Sequence, residues 1–226
     1  MINLKNVKKL YRTKEVETTA LNDVSLDINK GEFLAIMGPS GCGKSTLLNV
    51  VAMIDVVTEG SYRFDDEEIS QYPESRLSRL RKSRIGFIFQ SFNLIDDLSV
   101  QENVELPLLY SNVPRATRKT RVKEVLELVG LSSRAKHKPS ELSGGQQQRV
   151  AVARAVVCDP KLVVADEPTG NLDTKHGDEV MDILGALNSL GSTILMVTHS
   201  PAHAKRAKRI VNVLDGRIVP NVANAL

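Results

Sequence analysis

Tryptophan is absent from the 226 residues, Phe and Tyr together make up 4% of them, and cysteine occurs only as Cys42 and Cys158. Two thiols make no disulfide framework, which fits a reducing compartment. Long apolar runs are missing too. The run 47–54 is broken at Asn49 and falls short of the roughly 20 residues that a spanning helix needs, so the chain is not expected to cross a bilayer by itself. Its first residues alternate Lys and Asn with aliphatics, and no signal peptide is expected there. An excess of one charge is lacking as well. The 30 Lys and Arg against 27 Asp and Glu leave a net charge of +3, too weak to argue for nucleic acid as a partner. Repeats, low-complexity tracts and long polar linkers are absent, which excludes fibrous, collagen-like and disordered classes. What remains is 42% apolar and 25% charged, an ordinary globular composition with enough chain for a single domain, 1–226.

Hydrophobic spacing predicts strands at Ile2, Leu4 and Val7, at Leu21, Val24, Leu26 and Ile28, and over the buried run 33–37. A glycine-rich turn, 38–43, then leads into a helix from Lys44 to about Met53. Residues 84–89 read as another buried strand. Beyond it, Val122, Val125, Leu126 and Val129 form one helical stripe with Gly130 as its C-terminal cap, and 146–157 also reads as helix. Strand-like runs return at 162–165, 193–197 and 210–214, and Asp215-Gly216 signals a hairpin. Strands alternating with helices at both ends of the chain predict an α/β domain with a parallel sheet, interrupted by a helical insert at about 93–158.

Gly38-Pro39-Ser40-Gly41-Cys42-Gly43-Lys44-Ser45 fits the phosphate-loop pattern, with Thr46 following in the helix. Glycines let successive backbone N–H groups converge on phosphate oxygens, and the helix N-terminus adds its positive end. Lys44 is expected to reach the β- and γ-phosphates, and the Ser45 hydroxyl to ligate Mg²⁺. Cys42 lies inside the loop, where a helix N-terminus lowers a thiol pKa, so alkylation there is expected to block nucleotide binding. The strand 162–165 ends in Asp166-Glu167, at the sheet edge where ligands of parallel sheets bind. Asp166 suits Mg²⁺, and Glu167 suits a general base for water. His199 and Gln90 each follow another strand, His199 toward the γ-phosphate or water and Gln90 toward Mg²⁺ or water. Leu142-Ser143-Gly144-Gly145-Gln146 is a second glycine-rich, helix-initiating anion site. One nucleotide does not need two such sites from one chain, so a second copy could present this one to the γ-phosphate held by the first.

With these motifs in this order, joined by Asn171-Leu172-Asp173, nearly the whole chain resembles an ABC-transporter ATPase subunit. The resemblance implies a P-loop NTPase (RecA-like) core, 1–92 and 159–226, with an N-terminal antiparallel β subdomain and an inserted helical subdomain, 93–158. It implies a head-to-tail homodimer holding two ATP with Mg²⁺, in which Ser143, Gly144, Gly145 and Gln146 act in trans. It further implies that Tyr11 stacks on adenine and that Asp173 couples the two sites. A separate integral membrane permease subunit is implied, at the cytoplasmic face of the membrane, with a coupling helix docking near 90–110. Phe92, Leu94, Ile95 and Leu98 are candidates for an exposed apolar contact there, with internal packing as the alternative. The segments 101–108, 146–151 and 165–173 look like the branch of lipoprotein-releasing, macrolide-export and antimicrobial-peptide-resistance ATPases. The segment 51–60 departs from that branch by losing its usual Gly and Pro, and Ser200 stands where Asp is common.

Three competitors stand against this reading. A DNA-maintenance ATPase with the same motifs would insert long coiled coils or paired cysteines between Lys44 and Ser143, and neither is present. A GTP switch would carry N-K-x-D after the phosphate loop, whereas Asn29-Lys30-Gly31-Glu32 precedes it and ends in Glu. An importer subunit for a small nutrient shares every catalytic residue, and only the finer likeness disfavours it. The basic clusters 76–84 and 205–209 are expected to be solvated helix faces.

Overall fold

The computed structural model describes residues 1–12 and 17–220. Two sheets organise it. The strands β1 (Ile2–Arg12), β2 (Glu17–Ile28), β4 (Glu59–Phe64) and β5 (Glu67–Glu68) form an antiparallel sheet in the order β2-β1-β4-β5. The second sheet runs β10-β9-β3-β8-β7-β6, built from β3 (Phe33–Met37), β6 (Ile85–Ile88), β7 (Leu162–Asp166), β8 (Thr193–Val197), β9 (Arg209–Leu214) and β10 (Arg217–Val219). All of its pairings are parallel except the terminal hairpin. That hairpin turns through Asp215 and Gly216, both with positive φ, as a type I′ turn requires.

The central strands are apolar on both sides because both faces of the sheet are covered. Phe33, Ala35, Val163, Ala165, Ile194 and Met196 point into one core, and the alternate residues Leu34, Ile36, Leu162, Val164, Leu195 and Val197 into the other. The second core is closed by the antiparallel sheet and α1 (Lys44–Val51). The first is closed by α6 (Thr174–Ser189), through Val180, Met181, Leu184 and Leu187, and by the helices between β6 and β7. Each Val, Leu, Ile, Phe or Met side chain so taken from water stabilises the fold by about 1.5–3 kcal/mol.

Those intervening helices are α3 (Val100–Tyr110), α4 (Arg115–Leu128) and α5 (Gly144–Val156). Ser99 opens α3 through a capping box with Glu102. The α4 stripe Val122, Val125 and Leu126 faces the core, and Gly130, at φ 68°, closes the helix as Leu131 N–H bonds the Leu126 carbonyl at 2.8 Å. The fully buried Asn103 donates to the carbonyls of Ile95, Leu98 and Ser99 and accepts from Ile95 N–H, which fixes the loop before α3.

In α2 (Glu74–Arg84) the basic cluster forms a largely exposed helix face, on which Arg76 and Arg81 pair with Glu67 and Glu74. The cluster 205–209 lies beyond α7 (Pro201–Ala204), where Arg206 pairs with Asp182 and Arg209 with Glu32, so it anchors a turn to the core. Of the four apolar candidates at 92–98, Ile95 is exposed, and Phe92, Leu94 and Leu98 are half-buried.

Candidate active site

The loop between β3 and α1 is set by backbone geometry that side chains would block. Gly38 and Gly43 have φ of 153° and 103°, and a Cβ on either would lie 2.1 Å from the Val213 carbonyl oxygen or 2.5 Å from that of Ala20. The carbonyl of Cys42 accepts from Gly216 N–H at 2.9 Å, tying the loop to the β9–β10 turn. Gly43 caps α1 without a side chain, so the first-turn amides are left to an outside acceptor. Lys44 is buried and donates from Nζ to the Pro39 carbonyl at 2.7 Å, curled under the loop. Ser40, Gly41 and Ser45 are exposed, and Thr46 is half-buried. A cleft of about 390 Å³ opens here, lined by Gly41, Gly43, Lys44, Ser45 and Thr46 against Thr18, Thr19, Asp215 and Gly216. A larger cavity of about 630 Å³ lies at the opposite edge of the sheet, beside Lys161 and Thr193, whereas ligands of open parallel sheets bind beyond the C-terminal strand ends.

Cys42 is 4% exposed and its Sγ faces Lys44 Nζ at 3.9 Å. Tyr11, 42% exposed, donates its hydroxyl to Asp55 at 2.6 Å, with Lys9 Nζ 4.9 Å from its ring centre. Burial and the Asp55 carboxylate push its phenol pKa up, opposed by a hydrogen bond with Thr46. Tyr11 thus stands beside the first turn of α1.

The acidic pair sits at the C-terminal end of β7, between β6 and β8. Glu167 adopts φ 45°, its N–H bonds the Val197 carbonyl at 3.0 Å, and its own carbonyl accepts from Gly170 N–H. The turn brings Glu167 Oε1 to 2.9 Å from His199 Nε2. Gln90 joins them: a Cβ on Gly170 would lie 2.8 Å from Gln90 Nε2 and 3.3 Å from Glu167 Oε2. Asn171 holds the Gln90 backbone, donating to its carbonyl at 3.0 Å. Burial raises the Asp166 carboxyl pKa, the Glu167 charge raises it further, and Lys44 and His199 draw it back. Lys44, Gln90, Asp166, Glu167 and His199 therefore converge on one edge of the sheet.

Ser143, Gly144, Gly145, Gln146 and Asp173 have partners of their own. Ser143 and Gln146 satisfy each other in a capping box at the start of α5, with Ser143 N–H donating to Gln146 Oε1 at 3.0 Å. The neighbours of the two glycines are Phe92, Leu172 and His176. Asp173 caps α6, accepting from His176 N–H at 2.9 Å, and this bond with the His176 side chain holds its carboxyl pKa below the usual range.

Two residues of the surroundings have no signal of their own in the sequence. Gln148, fully buried, donates from Nε2 to the Pro168 carbonyl at 2.7 Å and the Phe89 carbonyl at 3.2 Å. It bolts the helix that begins at Ser143 to the residues next to Glu167 and Gln90, yet nothing distinguishes it from Gln146 and Gln147 in the chain. His203 bonds Thr169 through Nδ1 at 2.9 Å and bears on the same turn from the other side.

A phosphate loop on β3, with an acidic pair and a histidine ending the neighbouring strands, defines a nucleotide-hydrolysing P-loop core. The family profile described as ABC transporter matches residues 21–170, and the chain belongs to that family. It is 50% identical over 97% of its length to YknY of Bacillus subtilis, described as an uncharacterised ABC transporter ATP-binding protein, and spans 96% of that protein. It is 46% identical to the macrolide export ATP-binding/permease protein MacB 1/2 of Paracoccus denitrificans, of which it spans 33%. Among solved structures, the ATP-binding cassette MJ0796, a dimer in a post-hydrolysis state with ADP and Pi, superposes with a TM-score of 0.89 at 43% identity, over 97% of both chains.

Proposed function

We propose that two copies of this chain enclose two ATP molecules and hydrolyse them to drive a separate membrane permease, in an exporter or force-transmitting complex. The observation that carries this reading is the convergence of Lys44, Asp166, Glu167 and His199 at the C-terminal ends of adjacent strands. The dimeric state of MJ0796 and the export named for MacB support it.

In this reading the 38–46 amides and Lys44 bind the triphosphate, and Tyr11 stacks on adenine. Among the described residues no cluster of three or more His, Cys, Asp or Glu side chains could hold a metal alone. Magnesium fits such a site, since it is held through only one or two carboxylates and completes its shell with other oxygens, phosphate and water. Ser45, Gln90 and Asp166 would hold it, and it supplies charge neutralisation at the phosphates. Glu167 orients water for attack on the γ-phosphoryl group, with its Oε1 positioned by His199. Ser143 with Gly144, Gly145 and Gln146 enters from the partner and binds the same phosphoryl group, and Asp173 links the two sites. Aimed donors of this kind stabilise a developing charge by about 2.7–4 kcal/mol each.

We assign the permease contact to the groove of about 300 Å³ beside β6, where Phe87 and Phe89 stack at 4.2 Å and Asn93, Pro107 and Arg154 form the wall. No helix among the described residues is long and apolar enough to cross a membrane. In this reading the permease partner holds the chain at the cytoplasmic face. Residues 93–158 then form the helical part that meets both permease and partner. Glu167→Gln is expected to abolish hydrolysis while ATP and Mg²⁺ drive the 24.8 kDa chain into a stable dimer. Light scattering reads the mass, and a monomer persisting with saturating ATP and Mg²⁺ would count against the enclosed site.

A further inference from the structure

Gly145 is buried in the first turn of α5. A Cβ built on it would lie 2.7 Å from Cδ2 and 2.8 Å from Cβ and Cγ of His176, well inside the optimal separation of about 3.5–4.0 Å for carbon atoms. These atoms belong to the inner part of the side chain, so a change of rotamer does not clear them all. The same imidazole is tied on its other side. Its Nδ1 lies 2.9 and 2.8 Å from the two Asp173 carboxylate oxygens, and its backbone N–H donates to the first of them at 2.9 Å. His176 is thus wedged between the aspartate that caps α6 and the backbone of the turn that begins at Ser143. Next to it, a Cβ built on Gly144 would lie 3.7 Å from Leu172 Cδ2 and from Phe92 Cζ, so the ring sits in a continuous seam joining the two helix starts.

We propose that His176 is a positioning residue of the enclosed ATP site: its imidazole anchors Asp173 and spaces the 143–146 turn so that the turn's donors meet the partner's triphosphate. Gly145 is glycine because the ring occupies the volume of its side chain. The inference rests on the two-chain site proposed above and adds an intrachain reason for one of its glycines. If that reason holds, the need for glycine at 145 is relieved when the ring and its Cβ are removed. If glycine is required by the phosphate itself, removing the ring relieves nothing.

The test is a cycle built in the Glu167→Gln background, adding Gly145→Ala, His176→Gly, or both. Sedimentation measures the ATP-dependent dimer, fluorescent ADP measures binding to the monomer, and melting temperature checks folding. Gly145→Ala is expected to weaken dimerisation by at least about tenfold, and His176→Gly to weaken it severalfold with ADP affinity retained. The double variant is expected to dimerise more tightly than Gly145→Ala alone. His176→Asn keeps Cβ and a donor near the position of Nδ1, and is expected to dimerise like the background chain. A double variant no better than Gly145→Ala, a His176→Gly chain that dimerises like its background, or an Asn variant as weak as the Gly variant would each overturn the proposal. Failure of the background chain itself to dimerise would instead refute the two-chain site.

Discussion

Glu167 is held with φ 45°, a backbone region that costs a non-glycine residue energy and persists where the surroundings over-determine it. The Val197 carbonyl, Gly170 and His199 supply that constraint. His199→Ala is expected to leave ATP binding intact and lower turnover by about 10²–10³-fold, read from kcat and from ATP affinity measured separately. Asp55 carries a different test. Burial alone would raise its carboxyl pKa, but hydrogen bonds from Lys9 and Tyr11 win and hold it below the usual value. A carboxyl depressed on folding stabilises the protein above its unfolded pKa of about 3.9, and the benefit is lost as pH falls through the folded value. Asp55→Asn should therefore lower the melting temperature at pH 7, by the equivalent of about 1 kcal/mol at most, and the gap to the unsubstituted chain should close below about pH 4. At this scale the legible residues were those with chemistry in a motif, Lys44 and Glu167 among them. Gln148 was not, because a buried amide is marked only by the carbonyls that surround it.

Among the elements, β6 shows how a strand can depend on the helix above it. A Cβ on Gly86 would fall 2.1 Å from the Ala155 carbonyl oxygen, so the strand lies directly against the α5 backbone. Gly86→Ala should destabilise the fold by about 1–3 kcal/mol through overpacking, measured as a lower midpoint in chemical denaturation. Strands β3, β7 and β8 were legible because burial on both faces leaves unbroken apolar runs. The stripe of α4 and its Gly130 stop were legible for the corresponding helical reason. β4 was not. It buries only Tyr62 and Phe64 on one side, which carries little periodic signal, and its place in the tertiary sheet defines it instead. α2 was legible only as a basic helix face, since it buries Leu77 alone.

Across the whole molecule, the six-stranded sheet separates two cores, and the two glycine-rich motifs sit in different surroundings. The phosphate loop stands at the C-terminal strand edge, while the 143–146 turn is packed against Leu172 and His176. Pattern reading found both motifs, and their separation within one chain follows from the α5 packing that only the fold reveals. The most direct test mixes two disabled chains, Lys44→Ala and Ser143→Arg. In a mixed two-fold dimer, one site joins an intact phosphate loop to an intact turn and the other joins the two defects. Each chain alone should be inactive, and an equimolar mixture should recover up to about a quarter of the wild-type ATPase rate. A mixture as inactive as its components would contradict the claim that each ATP is completed by a second copy of the chain.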